Sequence, residues 1–483
     1  MRGQPGNLTP VDAAAATIEA AIPDHVEHGI GVWFNRAVVS SQAFTKITQE
    51  MGLPANQPPA AADALKLRSW LANGMESAFE HFFSSAKEVA GAIYHITDHL
   101  WVVPSLGKQA EKGHDMRLVY DEGSTARQKM KKEGKPNPNS AAIAGLPNID
   151  FDKRTKTKIM HNKFLVSGER LFEGQSRPAR LLCGSANFTT GGLTSQANLI
   201  HTFESAELAD QYLERYHLLT EDLTLGKTAK HAGWLDPVTV GDAGISVFFS
   251  PEPQGERLSL NRVVESIHRA RSSVLFCLFT PTDEALRQAC FAVGDNGKMM
   301  FGLVNLIAES AGDLDADDDL DAMQLAQMEL YHRKFSDKPD VIDGRFFSPA
   351  HTPTGFFTEL RLFPGEKPPP FPPVIIHHKF IVIDAETDSP VIYSGSANMS
   401  KASQYDNDEN LLEIRGSRRI AGIYLAEFMR LYEHYRARAL FIRRQQENSM
   451  TTFRLNSTSL WSRKYYTPGT PEERSKRRMA RQL

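Results

Sequence analysis

Two pairs of short strings hold residues whose types and spacing suit chemistry in this 483-residue chain. HNKFLVSG at 161–168 is followed by GSANFT at 184–189, and HHKFIVID at 377–384 is followed by GSANMS at 395–400. In a strand, residues i and i+2 share a face, so His161 stands beside Lys163 and His377 beside Lys379. Phe164, Phe380 and His378 point the other way, into packing. A histidine and a lysine on an apolar strand are costly to bury unless they meet an anion or a partner. One such strand reads as a core histidine with a snorkelling lysine. Two, each followed by the same turn, do not. Glycine and serine permit a tight turn at a strand end, and the amides of Asn187 and Asn398 can donate to an oxyanion without adding charge. Converging from two places, these residues make a phosphate-shaped site. The lysines and asparagines would neutralise and donate to phosphoryl oxygens. One histidine would attack phosphorus and the other protonate the leaving oxygen. The lysines supply the positive charge, so the reading requires no metal and no cofactor.

The elements that must position these residues also occur twice. In the second half, GISVFFSP (244–251), VLFCLFTP (274–281) and KMMFGLVNLI (298–307) read as strands, separated by helices at 260–273 and 283–293. In the first half, VAGAIYHIT (89–97) and MRLVYDEG (116–123) read as strands, with helices near 65–87 and 100–112. Long helices at 205–223 and 418–446 close the two halves. Strands alternating with helices predict an α/β chain with mostly parallel sheets flanked by helices. The expected divisions are an N-terminal extension at 1–60, a first lobe at 61–235, a second at 236–447 and a basic tail at 448–483.

Length and composition agree with two lobes rather than one core. A net charge of -3 excludes a chain that is basic throughout, though not a local basic groove. Cys183, Cys277 and Cys290 lack paired metal spacing and read as buried thiols in a reducing compartment. No stretch has the roughly 20 apolar residues of a membrane span, and the alanine-rich start lacks a signal-peptide pattern. The expected location is the cytoplasm, with signal-free export left open. DLDADDDLD (313–321) lacks a calcium loop's glycine and closing carboxylate and reads as a solvated acidic loop. PGEKPPPFPP (364–373) reads as an extended, polyproline-like approach to the second motif.

These paired motifs resemble the phospholipase D superfamily, whose signature is H-x-K-x4-D followed by G-S-x-N. The second copy matches at His377, Lys379, Asp384, Gly395, Ser396 and Asn398, with a downstream acid at Glu409. The first matches at His161, Lys163, Gly184, Ser185 and Asn187. It has Gly168 at the aspartate position and Ala197 near the acid position, a departure similar to the tyrosyl-DNA phosphodiesterase branch. The resemblance spans most of residues 60–447. It implies a bilobed pseudo-twofold fold, one shared active site with Ser185 and Ser396 among its phosphate contacts, and a covalent phosphohistidine. Precedent in the family makes His161 the nucleophile and His377 the acid. An acid at Glu409 or Asp384 holding the tautomer of His377 would argue the reverse.

The superfamily does not dictate a substrate. The GSANFT and GSANMS strings resemble its bacterial nuclease-like members. The approach to the first motif is basic at Arg127, Lys129, Lys131, Lys132, Lys135, Lys153, Arg154, Lys156 and Lys158. The C-terminus is basic at Arg463, Lys464, Arg474, Lys476, Arg477, Arg478 and Arg481. Both favour a polyanion, so a metal-independent nuclease acting on DNA or RNA is the expectation. The first alternative is a phospholipase D or phosphatidyl transferase, with the basic segments on an anionic membrane. The second is a non-catalytic phosphodiester-binding protein, against which the retained His161, Lys163 and Asn187 argue. With both motifs in one chain, a monomer can complete the site, and a homo-oligomer is also compatible.

Overall fold

A computed structural model describes residues 26–53, 60–84, 86–123, 131–307, 320–334, 340–347, 352, 356–357, 373–446, 459–471 and 473. The polyproline-like segment up to 372, most of the acidic loop, Arg127, Lys129 and Arg474 onward lie outside them.

The first half contributes β1 (Val26–Glu27), β2 (Ile30–Phe34), β3 (Glu88–Ile93), β4 (Asp115–Asp121), β5 (Asp150–Arg154), β6 (Ile159–Met160), β7 (Lys163–Glu169), β8 (Arg177–Gly184) and β9 (Leu199–Phe203). The second contributes β10 (Val238–Val240), β11 (Ala243–Phe249), β12 (Ser273–Leu278), β13 (Met299–Val304), β14 (Val341–Asp343), β15 (Lys379–Ile383), β16 (Val391–Gly395), β17 (Asn407–Asp408) and β18 (Asn410–Arg415). They form two eight-stranded sheets with matching orders, β1-β2-β9-β8-β7-β3-β4-β5 and β10-β11-β18-β16-β15-β12-β13-β14. This is the bilobed α/β repeat expected from the sequence. The sheets are mixed rather than mostly parallel. Only β3-β4-β5 and β12-β13-β14 run parallel, where helices cross between strands. Beyond them the chain returns through hairpins such as β7-β8 and β15-β16, which dictate antiparallel pairing.

Residues 30–34, within the stretch read from the sequence as an N-terminal extension, pair with β9 in the first sheet. The helix expected near 65–87 is two, Ala61–Ala72 and Met75–Phe83, broken where Asn73 and Gly74 both take positive φ.

One core lies between the sheets. Phe164 and Val166 from β7 and Phe380 and Val382 from β15 meet Tyr212 of the helix Ala206–Thr220 and Tyr424 of the helix Arg418–Gln446. The opposite faces pack outward, Leu165 in one cluster and Ile381 in another. Burial on both faces explains why the motif strands are continuously apolar rather than alternating. All three cysteines are free and buried.

Candidate active site

Lys163 opens β7 and Lys379 opens β15, so each histidine sits just before its strand begins. The backbone there is held by the other half of the chain. His161 N–H donates to Asp408 O at 2.9 Å, and His377 N–H donates to Ala197 O at 3.1 Å. A two-residue parallel ladder joins β6 to β17, and Ala197 bridges Ile376 in the same sense. The two motifs therefore meet across the pseudo-twofold axis, with the strand after each GSAN turn carrying the opposite histidine.

That exchange decides the histidines' neighbours. Nδ1 of His161 lies 2.7 Å from Oε1 of Glu409. Nδ1 of His377 lies 2.8 Å from Oδ1 of Asn198. The orientation of Asn198 is fixed: its amide nitrogen donates to Gly192 O and Gln196 O, and its oxygen also accepts from Ser185 Oγ. Against that oxygen His377 donates from Nδ1, which also lies 3.3 Å from Lys379 Nζ. Nδ1 of His161 faces a carboxylate instead, close to it but outside hydrogen-bond geometry. The expectation of an acid beside His377 is thus overturned, because Glu409 serves the first histidine. Asn198, not Ala197, holds the matching place, fourteen residues after Gly184 as Glu409 is after Gly395. Aligning the Asn-Leu pairs that follow misplaces it by one.

Each lysine folds back on its own motif: Lys163 Nζ donates to His161 O at 2.7 Å and Lys379 Nζ to His377 O at 2.8 Å. Burial, then the neighbouring ammonium, presses Lys163 well below its ordinary pKa, while burial brings Lys379 to about 7. Burial and the two lysines push both histidines well below theirs. Burial raises the Glu409 carboxyl, with hydrogen bonding from Ser403 and the charge of Lys163 opposing it. Two lysines and two histidines crowded out of water, each disfavoured in its charged form, would be relieved by an anion beside them. Asn187 and Asn398 each have a buried Oδ1 without a hydrogen-bond partner. Tyr94 and Phe279, not singled out from the sequence, stand at matching places. The Tyr94 ring centre lies 5.1 Å from that of His161, and Phe279 lies 5.4 Å from His377. Lys163 Nζ lies 5.3 Å from Tyr94, and Lys379 Nζ 5.6 Å from Phe279.

Other expected residues do not join. Asp384 turns away, its carboxylate accepting from the N–H groups of Arg271, Ser272 and Ser273. The serine hydroxyls hold the following strands: Ser185 accepts from Leu199 N–H and Ser396 from Asn410 N–H. The Ser185 hydroxyl also donates to Asn198 Oδ1, so it is not free for phosphate in this arrangement. Arg154 is fully buried and binds Asp408 and Asp222, so it leaves the proposed basic approach. Lys131, Lys132, Lys135, Lys153 and Lys156 remain exposed and Lys158 half-buried. His378 packs against Phe34 and Phe380 on the opposite face, with Nε2 3.3 Å from Glu427.

A family model described as cardiolipin synthase, PLD-like domain, matches residues 79–219 and 357–432, which contain both paired motifs. These two stretches of the chain belong to the phospholipase D-like family that this model describes. No curated protein matches it by sequence. Similar solved structures include phosphatidylserine synthase from Haemophilus influenzae, at 12% identity and TM-score 0.48, covering 75% of this chain and 85% of that one. Yeast tyrosyl-DNA phosphodiesterase aligns at 10% identity and TM-score 0.37, covering 80% and 90%. Nuc from Salmonella typhimurium aligns at 17% identity and TM-score 0.24, covering 40% and 94%. Among the described residues, no helix is long and apolar enough to cross a membrane.

Proposed function

We propose that this chain is a metal-independent nuclease that cleaves phosphodiester bonds through a phosphohistidine on His161. The supporting observation is the unequal pair of groups nearest the two Nδ1 atoms, the Glu409 carboxylate at His161 and the Asn198 amide oxygen at His377. A carboxylate stabilises the positive ring that forms as Nε2 bonds to phosphorus, and a neutral amide does not. His161 Nε2 attacks phosphorus as the P–O bond to the leaving oxygen breaks, and the proton on His377 Nε2 passes to that oxygen. A water oxygen then attacks phosphorus, His377 takes its proton, and the P–N electron pair returns to His161. The bound diester's charge offsets the lysines and raises the proton affinity of His377 toward a working value. Lys163, Lys379, Asn187 and Asn398 receive the phosphoryl oxygens.

Nucleic acid is favoured by the exposed lysines leading into β6 and by Tyr94 and Phe279 flanking the histidines. Basic side chains that track a backbone, with aromatic faces for bases, suit single strands best. A phospholipid reading is favoured by the cardiolipin synthase description of the matching family model.

One panel tests both. Labelled single-stranded DNA, duplex DNA, RNA, and phosphatidylcholine and cardiolipin vesicles are incubated in excess EDTA with wild type, His161→Ala and His377→Ala. We expect nucleic-acid cuts in EDTA that fall by about 10³-fold or more in both variants. Headgroup release with intact oligonucleotides would move the protein to phospholipids. Binding without product from any substrate would make it a non-catalytic phosphodiester binder.

A further inference from the structure

Behind the paired motifs stands a second pair of residues that the motif spacing does not announce. Ile93 pairs with Lys163 and Leu278 with Lys379, and five residues beyond each comes an aspartate, Asp98 and Asp283. Both are buried. Each donates its backbone N–H to the carbonyl of the residue after a motif asparagine, Asp98 to Phe188 O at 3.1 Å and Asp283 to Met399 O at 3.4 Å. Each carboxylate accepts an N–H in the first turn of the next helix, from Val102 at 3.2 Å and from Leu286 at 2.9 Å. Each also meets an arginine, Arg68 for Asp98 and Arg257 for Asp283.

Helix capping does not explain the first pair. A neutral serine, threonine or asparagine caps as well, whereas Arg68 and Asp98 are both fully buried, where an ion pair carries a desolvation cost. The Asp98 carboxylate does something more: it reaches the turn. Its Oδ1 accepts from Thr190 Oγ1 at 2.9 Å. The Asp283 carboxylate is turned to Arg257, whose two terminal nitrogens hold it at 2.6 and 2.9 Å, and Lys401 fills the place of Thr190 in the second turn. Asn187 is thereby set between anchored neighbours. Ser185 N–H donates to Leu199 O at 3.1 Å on one side, and on the other Phe188 N–H donates to His95 O at 3.0 Å.

We propose that Asp98, held by Arg68, is a positioning residue that aims the Asn187 amide at the phosphate through Phe188 and Thr190. This rests on the phosphate-site reading above and deepens it, giving the turn beside His161 a support that the turn beside His377 has only through its backbone.

The test is calorimetric titration of inorganic sulfate into full-length wild type, Thr190→Val, Thr190→Ser and Asp98→Ala, each also combined with Asn187→Ala and with Asn398→Ala. Thr190→Val leaves the Asp98–Arg68 pair intact and removes only the hydroxyl that links it to the turn. It should weaken sulfate binding by about tenfold, the scale of one charge-assisted hydrogen bond, and Thr190→Ser should restore it. Once Asn187 is alanine the same change should cost less than about twofold, yet still about tenfold when Asn398 is alanine. That selective coupling separates the proposal from a structural defect, which weakens binding in every background. Equal losses in the two backgrounds overturn it. Asp98→Ala should show the same coupling, and additive losses there overturn it as well; should Asp98→Ala fail to fold, the Thr190 variants decide. Wild type that binds no sulfate, or Asn187→Ala that binds it as tightly as wild type, overturns the phosphate-site reading and the proposal with it. Binding weakened by Asn187→Ala but untouched by Thr190→Val overturns the role of Asp98 alone.

Discussion

At the scale of residues, the lysines set the pH dependence. Lys379 loses its proton near 7 in the free protein, because burial disfavours the ammonium. Its folded value is depressed, so charge is present below about 7 and lost as pH rises. A bound diester restores that charge by pairing with it. We therefore expect kcat/KM, which reports the free protein, to fall above about pH 7, while kcat holds to higher pH. The acid limb should lie below the ordinary histidine range, because His161 is pushed well below it by burial and then by Lys163. Rate profiles on bis(p-nitrophenyl) phosphate provide the measurement. A kcat/KM flat to about pH 9 would contradict the Lys379 assignment. Lys379→Arg, permanently charged, should flatten the limb at lower activity. The six candidate groups His161, Lys163, Asn187, His377, Lys379 and Asn398 stood out in the sequence because a costly pattern occurs twice. The structural work of the two serine hydroxyls was not legible, because a sequence does not show which way a hydroxyl is already bonded.

At the scale of elements, the motif aspartate belongs to a turn. Asp384 has φ 53° at the end of β15, and its carboxylate gathers the N–H groups of Arg271 and Ser272 before β12 and of Ser273 at its start. The first lobe solves the same closure from the other side: Glu88 at the start of β3 accepts from Arg170 and Leu171 N–H at 3.0 and 2.7 Å. Gly168 therefore lacks no catalytic acid, and sequence spacing could not reveal that a residue on the neighbouring strand had taken over the cap. Asp384→Ala should cost about 2–3 kcal/mol of stability through lost charge-assisted hydrogen bonds. Turnover per folded molecule should stay within about threefold. Urea unfolding and rates normalised to folded protein separate the two, and a 100-fold rate loss in folded protein would return Asp384 to the site. Gly168→Asp tests sterics instead of chemistry. A Cβ there would lie 2.3 Å from Arg177 O and 2.8 Å from Pro178 Cα, so the variant should be destabilised by about 2 kcal/mol or more.

At the scale of the whole molecule, the repeat announced two lobes, but the exchange of acids between them was not legible. Glu409 and His161 are far apart in sequence, and no local pattern encodes which face of one sheet meets which end of the other. What holds that meeting in place is a buried ionic network. Asp408 accepts from Arg154 Nε at 2.8 Å and from an Arg215 guanidinium nitrogen at 3.2 Å, while its backbone oxygen accepts from His161 N–H and from Asn162 Nδ2. Arg154 has a second carboxylate in Asp222. Arg215 has otherwise the carbonyl of Ser250. Asp408→Asn keeps the backbone ladder but leaves two buried guanidiniums with too little negative charge, at a cost of about 3–5 kcal/mol. Asp408 directly precedes Glu409, so the 2.7 Å contact with His161 should slacken as well. A misplacement of this kind costs about 100-fold, and it should fall on the first chemical step. Rapid quench of the phosphoenzyme, normalised to folded protein, reads that step directly. Slowed formation with a lowered unfolding midpoint would show that the network both joins the lobes and aims the nucleophile. A lowered midpoint with unchanged formation would confine Asp408 to joining them, and His161 would then owe its position to the β6-β17 ladder alone.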